Sequence, residues 1–186
     1  SCALPICIQY QLYRGVTPVG FLINGTGGPI NFSVNQAGTY TVYARNFTQN
    51  SCDNLMAGSV IVHPLPVVTI GSNSPVCIGS TLNLTATGGT TYSWTGPNSY
   101  SSSVQNPTRA GVTASMAGLY TVVVTDANTC QSSAQTNVVA NPRPTAVVSG
   151  TTTICNGGTT TVSVALTGAA PWALTYFDGT TSTPVT

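Results

Sequence analysis

A short motif that occurs twice sets the strongest limit on what this chain can fold into. Residues 117–126 read AGLYTVVVTD, and residues 37–46, 80 positions earlier, read AGTYTVYARN. Three further pairs lie 78 positions apart: Cys52 and Cys130, Cys77 and Cys155, and the Pro-x-Pro segments at 64–66 and 142–144. A nearly constant interval of this kind is typical of tandem structural repeats. The sequence therefore predicts modules of about 78 residues.

The second module is complete and shows a pattern of short strands. Tyr120, Val122 and Val124 take alternate positions, which sends their side chains to one face of a strand. Glycine- and proline-rich turns separate such stretches, and no helical period occurs. The predicted strands are residues 67–70, 81–86, 91–95, 101–104, 110–113, 119–125 and 131–139. Seven short strands between closely spaced turns predict a β-sandwich, so the fold class is all-β.

The two Pro-x-Pro segments are predicted linkers, because proline fixes φ and removes a backbone donor. They divide the chain into an N-terminally truncated module at 1–64, a complete module at 65–142 and the first part of a third module at 143–186. The first module is predicted to have strands at 10–13, 20–23 and 30–34, a strand around Tyr40, and a last strand at 59–63.

Composition narrows the class of protein further. Only 4% of the residues are charged, the net charge is +1, and neither Lys nor Glu occurs. A nucleic-acid partner is not expected, because phosphate binding needs clustered Lys and Arg, and the four basic residues are scattered. Membrane insertion is not expected either, since no apolar run approaches about 18 residues. The chain is expected to be either cytosolic or a piece of a longer exported protein. Six cysteines in β-rich repeats favour the second, because disulfides persist only in oxidising compartments.

Three segments of the complete module resemble strands B, C and F of an immunoglobulin-like (Ig-like) domain: TLNLTA at 81–86, YSW at 92–94 and AGLYTV at 117–122. Ala86 and Val122 stand where antibody domains carry their disulfide, and Tyr120 takes the tyrosine-corner place at the start of strand F. The core that the resemblance implies, extended to the first module by the repeat, is Trp94, Tyr120, Val122, Ala86, Tyr40 and Val42.

The wider pattern is similar to the Ig-like and PKD-like repeats of large surface proteins in the Bacteroidota. The matching segments are SPVCIGSTL at 74–82, YSWTGPN at 92–98 and TDANTC at 125–130. That group includes gliding-motility adhesins and cargo of the type IX secretion system, so the resemblance implies an extracellular or cell-surface location. The group shares an architecture more than one activity.

The cysteines leave more than one disulfide scheme open. Cys77 belongs to the turn between strands A and B and Cys130 to the turn between F and G, which lie at opposite ends of a sandwich. A strand of six to eight residues spans about 20 Å, whereas bridged Cα atoms lie within about 7 Å of each other. We therefore favour disulfides across the joints between stacked modules over a Cys77–Cys130 bond, with free or metal-bound thiols as the remaining alternative. Cys155 has no partner within the given sequence on either scheme.

Residues 1–7 fit the repeat poorly. The segment ALPI at 3–6 resembles the translation of a common sequencing adapter, and on that interpretation Cys2 has no structural meaning and Cys7 need not have any. If Cys7 is native, it and Cys52 are expected to meet at one end of the first module, because the B–C and F–G turns are neighbours there.

Residues suited to chemistry are few and scattered. The only carboxylates are Asp53, Asp126 and Asp178, and all three look like turn residues, whereas general acid–base hydrolysis needs a facing pair. His63 is the only histidine, adjoins Pro64 and has no clustered partners for a catalytic triad. No Cys-x-x-Cys pair occurs, and the other cysteine spacings do not form a zinc-ligand set. We therefore expect neither an enzyme nor a cofactor or metal site.

Aromatic residues are the remaining candidates for a ligand surface. Trp94 and Trp172 have the chemistry to stack on sugar rings, but their place on strand C predicts core packing. Tyr43, Tyr92 and Tyr100 are candidates for exposed positions.

The sequence as a whole predicts non-catalytic modules that serve as an adhesin stalk or spacer. The expected partners are neighbouring modules of the same chain, with weak adhesion to glycans or solid surfaces. The alternative is a carbohydrate-binding accessory of a secreted polysaccharide-degrading enzyme. Exposed coplanar aromatic rings on one sheet face would favour that alternative, and burial of those rings would favour the spacer.

Overall fold

The computed structural model describes residues 8–46, 53–150, 153–168, 171–177 and 180–185. Within these ranges the chain is built of β-strands, with one turn of 3-10 helix and no α-helix. It divides into two compact units, one formed by residues 1–66 with 127–130 and the other by residues 67–126 with 131–186.

The first unit contains one five-stranded antiparallel sheet. Its strands are β1 (Ile8–Arg14), β2 (Thr17–Asn24), β3 (Gly38–Asn46), β4 (Asp53–Leu55) and β5 (Val60–Val62). The spatial order is β2-β1-β3-β4, and β5 pairs with the beginning of β3. A tight turn at Gly15, whose φ is +59°, joins β1 to β2, because glycine reaches positive φ without a steric penalty.

One face of this sheet, its inner face, is only partly covered by the described residues. Leu12 and Tyr40 are buried there, and Val42 is half-buried. Residues 30–34 are not a strand, so that prediction was wrong. Their alternating pattern resembles a strand, but among the described residues no neighbouring strand pairs with them, and a strand needs a ladder partner. A cavity of about 460 Å³ remains on this side, with Leu12, Phe32, Tyr40 and Val42 in its wall.

The second unit begins with nine strands, of which seven form two facing sheets while two form a separate parallel pair. They are β6 (Thr69–Ser72), β7 (Val76–Cys77), β8 (Leu82–Thr87), β9 (Thr91–Gly96), β10 (Tyr100–Ser102), β11 (Thr108–Arg109), β12 (Gly118–Thr125), β13 (Gln131–Val138) and β14 (Ala140–Asn141). One sheet has the order β10-β9-β12-β13, and the other has the order β11-β8-β6, while β7 and β14 form the separate pair. The 3-10 turn, Ala114–Met116, leads into β12.

The core of the second unit comes from alternate residues of both sheets. On β8, Leu82, Leu84 and Ala86 are buried while the residues between them are exposed. From the facing sheet, Trp94 and Val122 lie opposite each other in the register and are fully buried. Burying a large apolar side chain of this kind contributes about 1.5–3 kcal/mol. The other members of the buried cluster are Val76, Val112, Tyr120, Val124 and Val138.

The chain changes sheets between β6 and β7, which the sequence did not predict. β6 pairs antiparallel with β8, whereas β7 pairs parallel with β14. Ser74 and Pro75, between the two strands, are joined by a cis peptide bond, and the amide of Val139 donates a hydrogen bond to Ser74 Oγ at 2.9 Å. Strands of two residues have no readable period, so a pattern-based prediction misses them.

A tyrosine corner accompanies both copies of the repeated motif. Tyr120 Oη donates to the carbonyl oxygen of Met116 at 2.9 Å, and Tyr40 Oη donates to that of Gln36 at 2.7 Å. In each copy the acceptor lies four residues upstream of the tyrosine. The sequence repeat therefore corresponds to a repeat of one local structure.

The predicted strand at 110–113 was wrong. Thr108 and Arg109 pair with β8 instead, and Val112 is buried in a loop, where its amide donates to Ser80 O at 2.9 Å. A buried loop position needs an apolar side chain, so in the sequence Val112 resembles a strand residue although it pairs with no strand. The first and fourth predicted strands are shifted: the observed strands cover 69–72 and 100–102.

Residues after Pro144 form two hairpins with exposed apolar side chains. β15 (Thr145–Ser149) pairs with β16 (Ser163–Thr167), and β17 (Leu174–Phe177) pairs with β18 (Ser182–Val185). No other strand among the described residues extends either pair. The assignment of 143–186 to a third module remains a prediction.

Candidate functional site

The face of the first unit's sheet opposite to Leu12 and Tyr40 gathers polar and aromatic side chains. Successive strand residues point to opposite faces, so the neighbours of those two buried residues share this outer face. Residues of β1, β3 and β4 on this face, together with two residues of β2, line a pocket of about 200 Å³, the outer pocket, whose residues are Gln11, Tyr13, Pro18, Leu22, Tyr43, Arg45 and Asp53.

A bidentate ion pair forms one side of the outer pocket. Arg45 on β3 and Asp53 on β4 are direct cross-strand neighbours. Arg45 Nε donates to Asp53 Oδ1 at 3.0 Å and Nη2 donates to Oδ2 at 2.9 Å. The hydrogen bond from Arg45 holds the pKa of the Asp53 carboxyl below its ordinary value, and the same bond raises the pKa of Arg45. The prediction that Asp53 is a turn residue was wrong, because this pairing makes it a strand position.

Two tyrosines and a glutamine form the other side. The rings of Tyr13 and Tyr43 meet edge to face, with centroids 5.0 Å apart and planes at 66°. Gln11 is fixed by its amide nitrogen, which donates to Leu12 O at 3.1 Å and to Val19 O at 3.0 Å across an irregularity in the β1–β2 register. The amide oxygen of Gln11 and both phenolic hydroxyls therefore remain as hydrogen-bonding groups on the pocket side of the sheet.

The second unit has no charge at the equivalent positions. Thr125 and Gln131 pair across β12 and β13 as Arg45 and Asp53 pair across β3 and β4. Gln131 Nε2 donates to Thr125 Oγ1 at 3.1 Å, so a neutral hydrogen bond replaces the ion pair. The other outward positions of this sheet are hydroxyl, amide or aliphatic: Thr91, Ser93, Thr95, Ser101, Leu119, Thr121, Val123, Ser133, Gln135 and Asn137.

The other candidate catalytic and metal-binding residues that the structure describes do not form a common site. His63 is exposed directly after β5, and Asp126 is half-buried directly after β12. Asp178 lies outside the described residues. Within the described part of the chain, no three His, Cys, Asp or Glu side chains cluster as metal ligands would.

The two tryptophans differ in exposure. Trp94 is fully buried, and its Nε1 donates to Gln105 O at 3.2 Å, whereas Trp172 is 46% exposed. Tyr43 is exposed, and Tyr92 and Tyr100 are half-buried. Trp94 is therefore unable to stack on a sugar in the folded unit.

The cysteines that the structure describes are not joined to one another. Cys77, at the end of β7, and Cys155 are exposed, and Cys130 is half-buried. Cys2, Cys7 and Cys52 lie outside the described residues. Gln131, next to Cys130, pairs with the last residue of β12, while Asn141 pairs with Cys77. The eight residues of β13 separate these two pairings by about 25 Å.

Solved structures of Ig-like proteins are similar to this chain. The amphioxus IgVJ-C2 molecule is 13% identical over 71% of this chain and 88% of its own, with a TM-score of 0.37. The three N-terminal domains of the bacteriophage RB49 highly immunogenic outer capsid protein are 15% identical over 100% of this chain and 71% of theirs, with a TM-score of 0.43. Sidekick-1 immunoglobulin domains 1–5 are 16% identical over 73% of this chain and 33% of theirs, with a TM-score of 0.31. No family model and no curated protein matches the sequence.

The chain is an all-β protein of tandem Ig-like β-sandwich modules, which confirms the fold class predicted from the sequence. The two facing sheets, the change of sheet before β7 and the tyrosine corners agree with this class. Ig-like domains are typically non-catalytic and commonly extracellular. Among the described residues there is no helix of the length and apolar character that a membrane span requires.

Proposed function

We propose that this chain is a segment of a long extracellular surface protein whose Ig-like modules form a non-catalytic stalk or spacer. The observation that carries the proposal is the recurrence of one local structure, since Tyr40 and Tyr120 make the same four-residue corner in two units. A chain that repeats one stable unit gains length rather than a new active site. The resemblance to surface repeats of the Bacteroidota supports a gliding-motility or adhesin setting and export by the type IX system.

The surface chemistry of the second unit supports weak, unspecific adhesion. Its four-stranded sheet presents hydroxyl and amide groups and no charged side chain on the outer face. Contacts made by such groups with glycans or solid surfaces are hydrogen bonds, so salt screens them little. A stalk of this kind is suited to changing ionic conditions.

The division into modules at 1–64, 65–142 and 143–186, with stiff joints between them, is part of the proposal. One contact supports a defined joint after the second module: Arg143, inside the Pro-x-Pro segment, donates from Nε to Ile78 O at 2.9 Å. This contact holds the linker against the turn that follows Cys77. A disulfide from Cys77 to a cysteine of the next module would stiffen the same joint.

The flanking reading frame tests the stalk. We expect further copies of the AG-x-Y-T-V motif at intervals of about 78 residues and a sorting domain at the end of the gene product. A gene product that continues directly into an unrelated catalytic domain would contradict the stalk and favour the carbohydrate-binding accessory.

An adhesion assay tests the surface chemistry separately. Microspheres coated with the chain are washed from chitin, cellulose and glass at about 10 mM and about 1 M salt, where the screening length falls from about 30 Å to about 3 Å. We expect weak retention that changes little with salt. Retention that disappears at high salt would show ionic contacts and contradict the proposal.

A carbohydrate-binding accessory is the second candidate, and the outer pocket of the first unit is the observation in its favour. Two observations argue against a broad sugar platform, which needs coplanar exposed rings. Trp94 is buried, and the planes of the Tyr13 and Tyr43 rings are inclined by 66°. The geometry therefore supports a small sugar site on a spacer better than a platform for crystalline polysaccharide.

A further inference from the structure

We infer that the outer pocket of the first unit binds one residue of a neutral sugar. The inference rests on the proposed function, and it names one site and one class of ligand for the weak adhesion proposed there. The pocket measures about 200 Å³, which fits one pyranose ring and is too small for a nucleotide or a folded partner.

The polar groups of the pocket match the hydroxyls of a sugar. A sugar hydroxyl both donates and accepts, so its site needs donors and acceptors side by side. Arg45 uses Nε and Nη2 on Asp53 and keeps Nη1 as a donor, while the Asp53 oxygens each keep acceptor capacity. The phenols of Tyr13 and Tyr43 can serve in either direction, and Gln11 adds a fixed acceptor.

The charge balance of the pocket selects against ionic ligands. Arg45 and Asp53 neutralise each other, and no other charged side chain lines the pocket. A carboxylated or phosphorylated ligand would meet the Asp53 carboxylate beside Arg45, and a cation would meet the guanidinium. The exposed ring of Tyr43 and the aliphatic surface of Leu22 and Pro18 suit the C–H face of a pyranose.

The second unit provides an internal comparison. At the positions of Tyr43, Arg45 and Asp53 it carries Val123, Thr125 and Gln131, with the same cross-strand register. The pocket is therefore not a consequence of the fold, because the same fold with other residues lacks both the rings and the ion pair. The two modules are expected to differ in ligand binding.

The test is an NMR titration of the whole 15N-labelled chain with D-glucose, D-galactose, D-mannose and N-acetyl-D-glucosamine, with D-glucuronate as the charged control. We expect saturable shifts of β1, β3 and β4 amides with at least one neutral sugar, at a Kd of about 1 mM or weaker for so few ligand atoms. Tyr43→Val should weaken binding about tenfold or more, and Asp53→Asn should do so too, since each removes a principal contact. The matched change in the other unit, Val123→Tyr, should leave the Kd unchanged.

The same spectra show whether each variant is folded, and Tyr43→Phe, which keeps the ring, provides a gentler second variant with an intermediate Kd. The absence of saturation with all four neutral sugars, a Kd that Tyr43→Val and Tyr43→Phe leave unchanged, or a response to glucuronate alone would each overturn the inference. None of these outcomes would remove the stalk, which the flanking repeats test. Conversely, a catalytic domain next to this chain would end the stalk proposal and leave the titration intact.

Discussion

Tyr120 donates its phenolic hydrogen to the carbonyl oxygen of Met116 at 2.9 Å while its own oxygen accepts from Arg109 Nη1 at 2.6 Å. The ring is fully buried, and Arg109 also lies over the ring of Tyr100, 4.4 Å from its centroid. One hydroxyl therefore ties the approach to β12 to the strand β11 in the opposite sheet. The corner therefore links the two sheets of the second unit.

Removing that hydroxyl should destabilise the second unit. Tyr120→Phe leaves Met116 O without its donor and takes from Arg109 its shortest hydrogen bond in a partly buried site, which costs about 1–3 kcal/mol. Denaturant unfolding followed by Trp94 fluorescence, in a Trp172→Phe background, measures the loss. Tyr176→Phe, at a 52% exposed position, is the control and should leave the midpoint unchanged. Equal midpoints for Tyr120→Phe and the parent would contradict the role of the corner.

A cavity in the second core should cost more than the loss of an exposed side chain of the same type. Leu84 is 1% exposed on β8, whereas Leu119 on β12 is 51% exposed. Leu84→Ala is expected to lower the free energy of unfolding by about 2–5 kcal/mol. Leu119→Ala should change it by about 0.5 kcal/mol or less. Similar losses for both variants would show that β8 does not pack against the facing sheet as described.

Gly96 is required for the contact between β9 and the tyrosine corner. A Cβ at this position would lie 2.6 Å from Tyr120 Cδ1, and that ring is held at its hydroxyl end. Gly96→Ala should therefore destabilise the second unit by about 1–3 kcal/mol through overpacking. Gly28→Ala is the control, since its Cβ would meet nothing nearer than 3.9 Å. Thermal unfolding of the two variants provides the comparison, and an unchanged midpoint for Gly96→Ala would refute the contact.

The pKa of Asp53 in the outer pocket should lie below that of an ordinary aspartate. Because the hydrogen bond from Arg45 lowers the pKa of Asp53 in the folded state, the pair adds stability above the unfolded pKa. That stability is lost as the pH falls through the lower, folded pKa. A 13C titration of the Asp53 carboxyl should give a lower midpoint in the parent than in Arg45→Gln. Identical midpoints would show that the two side chains do not interact in solution.

Cys77 and Cys130 should not be found in one disulfide. β13 alone separates their surroundings by about 25 Å, far beyond the Cα distance of about 7 Å that a disulfide bridges. Peptide mapping of the oxidised full chain by mass spectrometry is the measurement. A Cys77–Cys130 cross-linked peptide from folded, monomeric chain would exclude the joint scheme and the register of β13 with it.

Local sequence patterns predicted those parts of the structure that depend on near neighbours. The alternation of Tyr120, Val122 and Val124 predicted a strand with one buried face, because side chains alternate with a period of two in any strand. The repeated motif predicted equivalent strands around Tyr40 and Tyr120. The corner at Tyr120, which spans only four residues, was assigned from the resemblance to strand F of an Ig-like domain.

Patterns failed where a partner distant in sequence decides the outcome. Residues 30–34 alternate like a strand but have no ladder partner among the described residues, and Val112 is apolar because a loop buries it. Asp53 looked like a turn residue until β3 and β4 brought it opposite Arg45. Each of these outcomes depends on which segments pair and in what register, and the sequence of a single segment does not determine that.

The sequence by itself determined that the chain is a repeat of β-sandwich modules with little charge, since period, turns and composition are properties of consecutive residues. Only the tertiary structure decided that one copy carries a pocket with two tyrosines and an ion pair while the other presents neutral groups at the same places. The physical reason is that hydrogen bonds between strands, not positions along the chain, bring Tyr13, Tyr43, Arg45 and Asp53 onto one face.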